Sequence, residues 1–347
     1  MKKSPLAVLA AIATATALAL TGCVAGEGAA PEATEAGPAL GEGGWSADVL
    51  NIDFATYNPL SLIIKDQGWL EDATDGDVTV NWVQSAGSNK ANEALLAGAI
   101  DVGSTAGSAA LLARSNGSPI KAIDIFSQPN WAAIAVPAGS DIEEVEDLAG
   151  KSIAVTVGTD PYFFLLQALD EAGLSVTDVT IVNLQHADGK AALENGSVDA
   201  WSGLDPLLST SVEVAGTKII YDNIDFNSYG FLNATETFLQ NSPDLAQLVV
   251  NAYEHARAWA AENGDEAAEI LAGVAGIDPA IAEAVLLDRT NLDVDPVPGQ
   301  TQIDVLSIIG PVLVDVGSVQ TQEQVDEALD SLLEPEYAQN ADPDFFS

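Results

Sequence analysis

The chain reads Glu93-Ala-Leu-Leu-Ala-Gly-Ala-Ile-Asp-Val-Gly-Ser104 in its first half and Ala191-Ala-Leu-Glu-Asn-Gly-Ser-Val-Asp-Ala-Trp-Ser202 in its second half. An Ala-Leu pair, a Gly and an Asp recur in register at an offset of 98 residues. Upstream, Val78-Thr-Val-Asn-Trp-Val-Gln84 corresponds to Val179-Thr-Ile-Val-Asn-Leu-Gln185. A period this long exceeds the roughly 20–50 residues of solenoid repeats, so it predicts two copies of one βαβα unit. Two similar lobes leave a groove between them, which is a preferred place for a small molecule.

The composition is that of a large, folded and strongly acidic protein. The sequence has 347 residues, of which 48% are hydrophobic, enough for two domains with separate cores. It contains 11 Lys and Arg against 52 Asp and Glu, a formal net charge of −41. Because phosphate groups bind clusters of Lys and Arg, this balance argues against nucleic acid as a partner. An anionic ligand would have to be held by local groups against the long-range field.

Residues 1–22 are predicted to be a signal peptide. Met1-Lys-Lys supplies the positive start, and residues 6–20 form an apolar run shorter than the ~20 residues that span a bilayer. The run ends in Leu20-Thr-Gly-Cys23, which looks like a bacterial lipobox, and Cys23 is the only cysteine of the chain. We therefore expect cleavage before Cys23, its lipidation, and anchoring on the extracytoplasmic face of the cell membrane. Residues 23–46, rich in Gly, Ala, Glu and Pro, predict a flexible tether.

The rest of the chain predicts an α/β fold. Strand and helix patterns alternate from residue 49 to residue 221, which indicates a mainly parallel sheet flanked by helices in each lobe. The first lobe is expected to begin with residues 47–132, and residues 133–222 are expected to form the second. From residue 223 the chain is expected to return to the first lobe, with a helical C-terminal region packed on it. The acidic tail after Pro335 is expected to be loosely held.

Five loops follow a strand and precede a helix, and all are rich in Ser, Thr, Gly, Asn or Asp. In open α/β sheets, ligands bind beyond the carboxyl ends of the strands. A helix N-terminus offers free N–H groups and a partial positive charge to an anion. We therefore predict an anion site without Lys or Arg, made by helix ends of both lobes. For each single loop, helix capping and turn formation remain the alternative. The loops are residues 56–60, 85–89, 104–108, 158–162 and 202–205.

Three further residues, Trp201, Asp205 and His186, each have two interpretations. Trp201, expected to end a strand over residues 198–201, either lines the apolar part of a ligand or belongs to the core. Asp205 either accepts a hydrogen bond from a ligand amine or caps a helix, and His186, on a loop, either contacts the ligand or is structural. Neither His186 nor His255 has a Cys or His at metal-ligand spacing, so no metal site is predicted. The sequence lacks the Gly-x-Ser-x-Gly elbow and the phosphate-loop spacing, and it predicts neither an enzyme nor a bound cofactor.

Several motifs together resemble the solute-binding proteins of ABC importers, most closely those for aliphatic sulfonates, taurine and nitrate. The motifs are Tyr57-Asn-Pro-Leu60, Gly68-Trp-Leu-Glu71, Ala94-Leu-Leu-Ala-Gly-Ala-Ile-Asp101, Asp147-Leu-Ala-Gly-Lys151, Val157-Gly-Thr-Asp-Pro-Tyr162 and Gly196-Ser-Val-Asp-Ala-Trp201 with Asp205-Pro206. The resemblance implies a two-lobed type II periplasmic-binding-protein-like fold that closes on a small organic anion and then presents itself to a membrane permease. Nitrate, bicarbonate and a thiamine-pyrimidine precursor remain alternative ligands, and a lipid-anchored protein without a transport role remains an alternative function.

The resemblance also implies which residues line the ligand site. They are Tyr57, Asn58, Pro59, Gly87, Ser88, Thr105, Gly107, Ser108, Gln128, Gly158, Thr159, Asp160, Tyr162, Trp201 and Asp205, with Asn130 as a further candidate at the crossover between lobes. The sequence departs from many sulfonate-binding relatives at Gly203-Leu204, where those carry a bulkier, aromatic-containing stretch. The size of the ligand's apolar tail therefore stays open.

Overall fold

The structure is a computed structural model that describes residues 44–347. The predicted signal peptide, Cys23 and most of the predicted tether lie outside the described residues. Within residues 44–347, eleven strands form two sheets. The strands are β1 (Val49–Phe54), β2 (Thr79–Gln84), β3 (Val102–Ala106), β4 (Ile120–Pro129), β5 (Ala132–Val136), β6 (Ser152–Val155), β7 (Thr180–Asn183), β8 (Ala200–Leu204), β9 (Lys218–Tyr221), β10 (Gly230–Thr235) and β11 (Thr290–Asn291).

The sequence repeat corresponds to a repeat in topology. In the first sheet, β1 pairs in parallel with β2 and β3, and in the second sheet β6 pairs in parallel with β7 and β8. The strand orders β2-β1-β3 and β7-β6-β8 are therefore the same. The two sequence copies fold as two copies of one unit, as predicted.

Both sheets are mixed, because strands that cross from the other sheet join them antiparallel. The first crossing (residues 130–131) leads from β4 to β5, which pairs antiparallel with β8 and β9 in the second sheet. The second crossing (residues 222–229) leads from β9 to β10, which inserts antiparallel between β3 and β4. The parallel arrangement predicted from the sequence thus applies to the repeated units, and the crossing strands add the antiparallel pairs.

The helices cover both sheets. They are α1 (Pro59–Gln67), α2 (Trp69–Ala73), α3 (Ser88–Leu96), α4 (Gly107–Ser115), α5 (Asp160–Glu171), α6 (His186–Glu194), α7 (Leu207–Ala215), α8 (Glu236–Asn241), α9 (Pro243–Glu262), α10 (Gly264–Ala275), α11 (Pro279–Glu283), α12 (Gln300–Asp315), α13 (Gln322–Leu332) and α14 (Glu336–Gln339). Helix α9 packs on α1 and β4, α10 packs on α1, and α13 packs on α4. The C-terminal helices therefore lie on the first sheet, which confirms their predicted place.

Helix α1 shows how the sequence sets an element beside the boundary between the sheets. The Asn58 side chain caps the helix by accepting a hydrogen bond from Ser61 N at 3.3 Å. Pro59 occupies the first helical position, where its missing N–H is not needed. Gly68 ends the helix with a left-handed φ of 69°, which a glycine adopts without strain.

The acidic tail is docked on α9, so the prediction that it is loosely held is wrong. The helix α14 and a short 3-10 turn at Pro343–Phe346 both pack on α9. His255 Nδ1 lies 2.7 Å from Pro343 O, and the ring of Phe346 lies 6.3 Å from that of Trp69 between centroids. Aromatic contacts hold the tail on α9, although most of the residues around them are acidic.

Within residues 44–347, no single helix is long and apolar enough to cross a bilayer. One pair of helices, Gly264–Ala275 and Pro279–Asp288, is long and apolar enough when taken together, but it is bent by 118°.

The excess of acidic residues predicts that salt stabilises the fold. A net charge of −41 makes the compact state repel itself, and the screening length falls from about 30 Å at 0.01 M salt to about 3 Å at 1 M. We expect the thermal midpoint to rise by several degrees between 0.01 and 1 M NaCl, measured by circular dichroism. Choline chloride should give the same rise, since screening does not depend on the cation. An unchanged or lower midpoint in both salts would contradict this prediction.

Candidate functional site

Asp160 connects the two sheets more extensively than any other predicted site residue. It is the first residue of α5, and its side chain is 1% exposed. Oδ1 accepts hydrogen bonds from Ser108 Oγ at 2.6 Å and Ser228 Oγ at 2.5 Å. Oδ2 accepts from Trp131 Nε1 at 2.8 Å and Ser228 N at 2.9 Å. These four donor groups, here named the donor cluster, come from α4 and from both crossings.

The donor cluster holds a negative charge without a cation. None of the hydrogen-bond partners of Asp160 within residues 44–347 is a Lys or Arg. Burial raises the pKa of Asp160 above its ordinary value, although the hydrogen bonds from Ser108, Ser228 and Trp131 oppose that shift. Neutral hydrogen-bond donors therefore stabilise the buried carboxylate of Asp160. The sequence had predicted that helix N-termini would stabilise a bound anion.

The N-terminus of α4 is satisfied inside the protein. Gly107 N donates to Ser228 O at 2.9 Å and to Tyr229 O at 3.0 Å, and Ser108 N donates to Ser228 Oγ at 2.8 Å. A Cβ added to Gly107 would lie 2.8 Å from Phe231 Cε1, so only glycine allows this close approach. The second crossing thus covers the helix end that was expected to receive the ligand directly.

Tyr57 and Trp131 form an aromatic wall beside the donor cluster. Their ring centroids lie 6.0 Å apart in an edge-on arrangement, and Tyr57 Oη donates to Ser104 O at 2.9 Å. Behind them, Asp53 accepts a hydrogen bond from Ser104 N at 2.9 Å, and burial raises the pKa of Asp53 to about 7. The cavity beside this wall measures about 10 Å³, too small for a solute.

The predicted residues Asn58 and Pro59 have structural roles. Both are fully buried at the start of α1. Besides capping the helix, Asn58 Nδ2 donates to Tyr253 Oη at 3.0 Å. Their side chains hold the loop that carries Tyr57 and do not reach the donor cluster.

Gly87 and His186 meet across the boundary between the sheets. Gly87 precedes α3, and an added Cβ there would lie 3.0 Å from His186 Nε2 and 3.0 Å from Asn89 Oδ1. His186 is the first residue of α6, not a loop residue as expected, and is 3% exposed. Its Nδ1 lies 3.2 Å from Thr156 Oγ1, and burial lowers its pKa to about 4, so the ring is neutral at pH 7. Neither His186 Nε2 nor Asn89 Oδ1 has a hydrogen-bond partner within residues 44–347.

Three predicted hydroxyl residues hold their own loops in place. Ser88 Oγ accepts from Ala106 N at 2.9 Å, and Thr105 Oγ1 donates to Ala106 O at 2.9 Å. Thr159 Oγ1 donates to Thr156 O at 2.7 Å. The contacts of Thr105 and Thr159 are local, whereas Ser88 joins the start of α3 to the end of β3.

Gly158, Tyr162 and Gln128 supply none of the four hydrogen bonds of the donor cluster. Gly158 has a left-handed φ of 82°, and an added Cβ would lie 3.7 Å from Leu112 Cδ2 of the first sheet's α4. A cavity of about 240 Å³ opens there between α3, α4 and the Gly158 turn. Tyr162 is buried on α5, its ring 5.3 Å from Phe163, and Gln128 is half-buried on β4.

The placement of Trp201 corrects its predicted role in the ligand site. The side chain is fully buried in the apolar core of the second sheet. An added Cβ would lie 2.8 Å from Trp201 Nε1 at Gly189, and 2.9 Å from Trp201 Cζ3 at Gly203. The strand β8 spans Ala200–Leu204 and ends three residues further than expected, so Trp201 is its second residue and not its last.

Asp205 caps α7 and forms an ion pair, so the structure shows the capping alternative. It accepts from Ser209 N at 2.9 Å, and Arg289 Nε donates to Asp205 Oδ2 at 2.5 Å. Arg289 also contacts Asp222 at 3.3 Å and donates to Asn130 O at 2.5 Å. Burial acts to lower the pKa of Arg289, but the two carboxylates together raise it. This ion pair ties the C-terminal region to the first crossing and the second sheet.

Sequence reasoning missed Trp131, Ser228 and Arg289. Trp131 and Ser228 lie on the crossings, outside the strand-to-helix loops that the site prediction used. Asn227-Ser-Tyr-Gly230, a polar run ending in glycine, is the one local signal that could have indicated a constrained turn. Across the described part of the chain, no group of three or more His, Cys, Asp or Glu side chains could hold a metal ion.

Comparison with known proteins gives a consistent result. The sequence profile of the NMT1/THI5-like family matches residues 61–267. A Bacillus subtilis (strain 168) protein that carries the name aliphatic sulfonates-binding protein is 36% identical over 243 residues, 69% of this chain and 73% of that protein. The alkanesulfonate-binding protein SsuA from Xanthomonas axonopodis pv. citri, solved with MOPS bound, has a TM-score of 0.73 at 24% identity, over 81% of this chain and 98% of that one. The periplasmic nitrate-binding protein NrtA from Synechocystis PCC 6803 has a TM-score of 0.72 at 13% identity, over 85% and 88%. These structural similarities confirm the periplasmic-binding-protein fold.

Proposed function

Because the chain belongs to the NMT1/THI5-like family, we propose that it is the extracytoplasmic substrate-binding lipoprotein of an ABC importer. Its ligand is a small organic anion, an aliphatic sulfonate or taurine, and its role is capture and delivery without catalysis. The sulfonate-binding names of its relatives support the ligand class. The lipobox-like Leu20-Thr-Gly-Cys23 supports lipidation at Cys23 and anchoring in the cell membrane.

The observation that carries this proposal is the donor cluster. Four neutral donor groups from α4 and both crossings converge on one buried negative charge, the carboxylate of Asp160. A sulfonate presents the same chemistry, because its oxygens are acceptors that share one negative charge. Hydrogen bonds to a charged group are about twice as strong as neutral ones, so such a cluster can bind an anion within an acidic protein.

Around this centre, the ligand site is formed by residues of both sheets. Tyr57 and Trp131 provide an aromatic wall, and His186 Nε2 provides a free nitrogen close to Gly87. The full set is Tyr57, Gly87, Ser88, Gly107, Ser108, Trp131, Gly158, Thr159, Asp160, Tyr162, His186 and Ser228. In this proposal, residues 47–132 and 223–347 form one lobe and residues 133–222 form the other.

Ligand capture then works by a shift between open and closed lobes. In this proposal, contacts such as Ser108 with Asp160 and Arg289 with Asp205 join the two sheets in the closed form. A ligand that binds better to the closed form increases the closed population. The closed form is the one that the permease would recognise.

A thermal-shift screen of the purified protein tests the function. The compounds are taurine, ethanesulfonate, longer alkanesulfonates, nitrate, bicarbonate and a thiamine-pyrimidine precursor. A ligand at 100 times its dissociation constant adds about 2.7 kcal/mol of stability, so binding gives a clear rise in the unfolding midpoint. We expect this rise with at least one sulfonate. No rise with any sulfonate, together with a clear rise for the pyrimidine, would contradict the proposed ligand class.

A further inference from the structure

The donor cluster is already fully used by Asp160. A carboxylate offers about four acceptor positions, and Asp160 accepts four hydrogen bonds. A ligand anion that needs Ser108, Ser228 and Trp131 therefore meets a carboxylate in the position it would occupy. The ligand and Asp160 cannot both accept from these groups.

We propose that Asp160 is an internal competitor for the ligand, and that an incoming anion takes over its donors while Asp160 takes up one proton from solvent. The inference rests on the proposed function. In this step the ligand oxygens accept from Ser108 Oγ and Ser228 N, and the new O–H of Asp160 donates to a ligand oxygen. No bond within the ligand changes, and the net charge of the site is conserved.

Contacts on both sides of Asp160 limit how far its carboxyl group can move away from the donor cluster. Thr159 Oγ1 donates to Thr156 O at 2.7 Å before it, and Ser202 Oγ donates to Pro161 O at 2.7 Å after it. The start of α5 is thus fixed on both sides. With the lobes closed, Asp160 has no solvent to turn toward, so beside a bound anion it is more stable as the neutral acid.

The groups that face Asp160 are uncharged. None of them supplies a positive charge that could compensate the carboxylate in place of the proton. Ser108 faces it from α4, Ser228 from the second crossing and Trp131 from the first. The titratable groups behind this shell are Tyr57, Tyr162, His186, Asp53 and the pair of Asp205 with Arg289. Burial raises the pKa values of both tyrosines and lowers that of His186 to about 4, so these three groups stay neutral between pH 5 and 8.

Asp53 is the group whose titration could imitate the effect. Its pKa is raised to about 7 by burial, and it faces Ser85 and Ser104 within the first sheet. It accepts none of the four hydrogen bonds of the donor cluster. Experiments must therefore separate Asp53 from Asp160.

Competition with Asp160 makes the affinity for the ligand depend on pH. It also favours ligands that are strong acids. Since binding takes up a proton, affinity falls as pH rises above the pKa that Asp160 has without ligand, by up to about tenfold per pH unit. A sulfonate keeps its charge at the lower pH where Asp160 becomes protonated. A carboxylate ligand is itself protonated at low pH, so the advantage of the sulfonate grows as pH falls.

Calorimetric titration with ethanesulfonate from pH 5 to pH 8 tests the proposal, because this ligand does not titrate in that range. Two buffers of different ionisation enthalpy at each pH give the number of protons taken up, without any variant. We expect uptake approaching one proton per ligand at the upper end of the range. Asp160→Asn should bind independently of pH, and about tenfold or more tighter than the native protein at pH 8. Asp141→Asn, an exposed position between β5 and β6, is the matched control and should behave as the native protein.

The outcomes separate this inference from the proposed function. Sulfonate binding without proton uptake, or weaker binding by Asp160→Asn at every pH, would overturn the inference and leave the function standing. A pH dependence that survives in Asp160→Asn and disappears in Asp53→Asn would also overturn it. If neither the native protein nor Asp160→Asn binds any sulfonate, the proposed function fails and the inference fails with it.

Discussion

Replacement of Gly230 by Ala is expected to lower the free energy of unfolding by about 3 kcal/mol. Gly230 is the first residue of β10, and an added Cβ would lie 2.3 Å from Phe126 Cζ and 2.4 Å from Phe126 Cε2. Phe126 is fully buried on β4 and packs against Trp131, with 6.5 Å between ring centroids. The ring cannot move aside without disturbing the core, so the new methyl group forces the two neighbouring strands apart.

Denaturant unfolding followed by circular dichroism measures this effect. Gly273→Ala is the control, because nothing lies within 4 Å of an added Cβ at that position in α10. Alanine is favoured over glycine within a helix by about 1 kcal/mol, so the control should be as stable as the native protein or slightly more stable. A Gly230→Ala protein within about 0.5 kcal/mol of the native stability would mean that β10 is not packed as described.

The same strand shows what the sequence could not predict about the fold. The repeat predicted the parallel units correctly, because each unit is built from contacts close in sequence. Strand β10 was not predicted, since its partners β3 and β4 lie more than 100 residues earlier and it is buried on both faces, which removes the alternation typical of a strand. Its place depends on the second crossing, which is a tertiary feature.

The candidate site was predicted in part for a similar reason. Ser108 and Asp160 were expected in one site because both follow strands and begin helices, and the structure brings them within 2.6 Å. Trp131 and Ser228 were missed because the site prediction used the strand-to-helix loops, and of the first crossover it named only Gln128 and Asn130. For Trp201 the sequence left the ligand site and the core open, because periodicity does not fix the end of a short buried strand; the strand ends three residues later than expected, and Trp201 lies in the core.

Replacement of Arg289 by Met is expected to destabilise the protein by about 3 kcal/mol, because it leaves the buried carboxylate of Asp205 without its cation. The side chains of Asp205 and Arg289 are 4% and 18% exposed, so water screens the pair poorly. Methionine keeps the unbranched stem of the side chain but lacks the guanidinium group, so the hydrogen bond to Asn130 O is lost as well. The change therefore loosens the C-terminal region from the first crossing, next to Trp131 of the donor cluster.

A double-mutant cycle isolates the ion pair from the loss of packing. Asp205→Asn removes the unpaired charge, so Arg289→Met combined with Asp205→Asn should be clearly more stable than the sum of the two single changes predicts. Lys90→Met is the matched control: it breaks an ion pair with Glu93 in which the two side chains are 46% and 63% exposed. Such an exposed pair contributes about 0–1 kcal/mol, so this variant should unfold close to the native midpoint. If Arg289→Met and Lys90→Met unfold at the same denaturant concentration, Arg289 does not stabilise the junction between the two sheets.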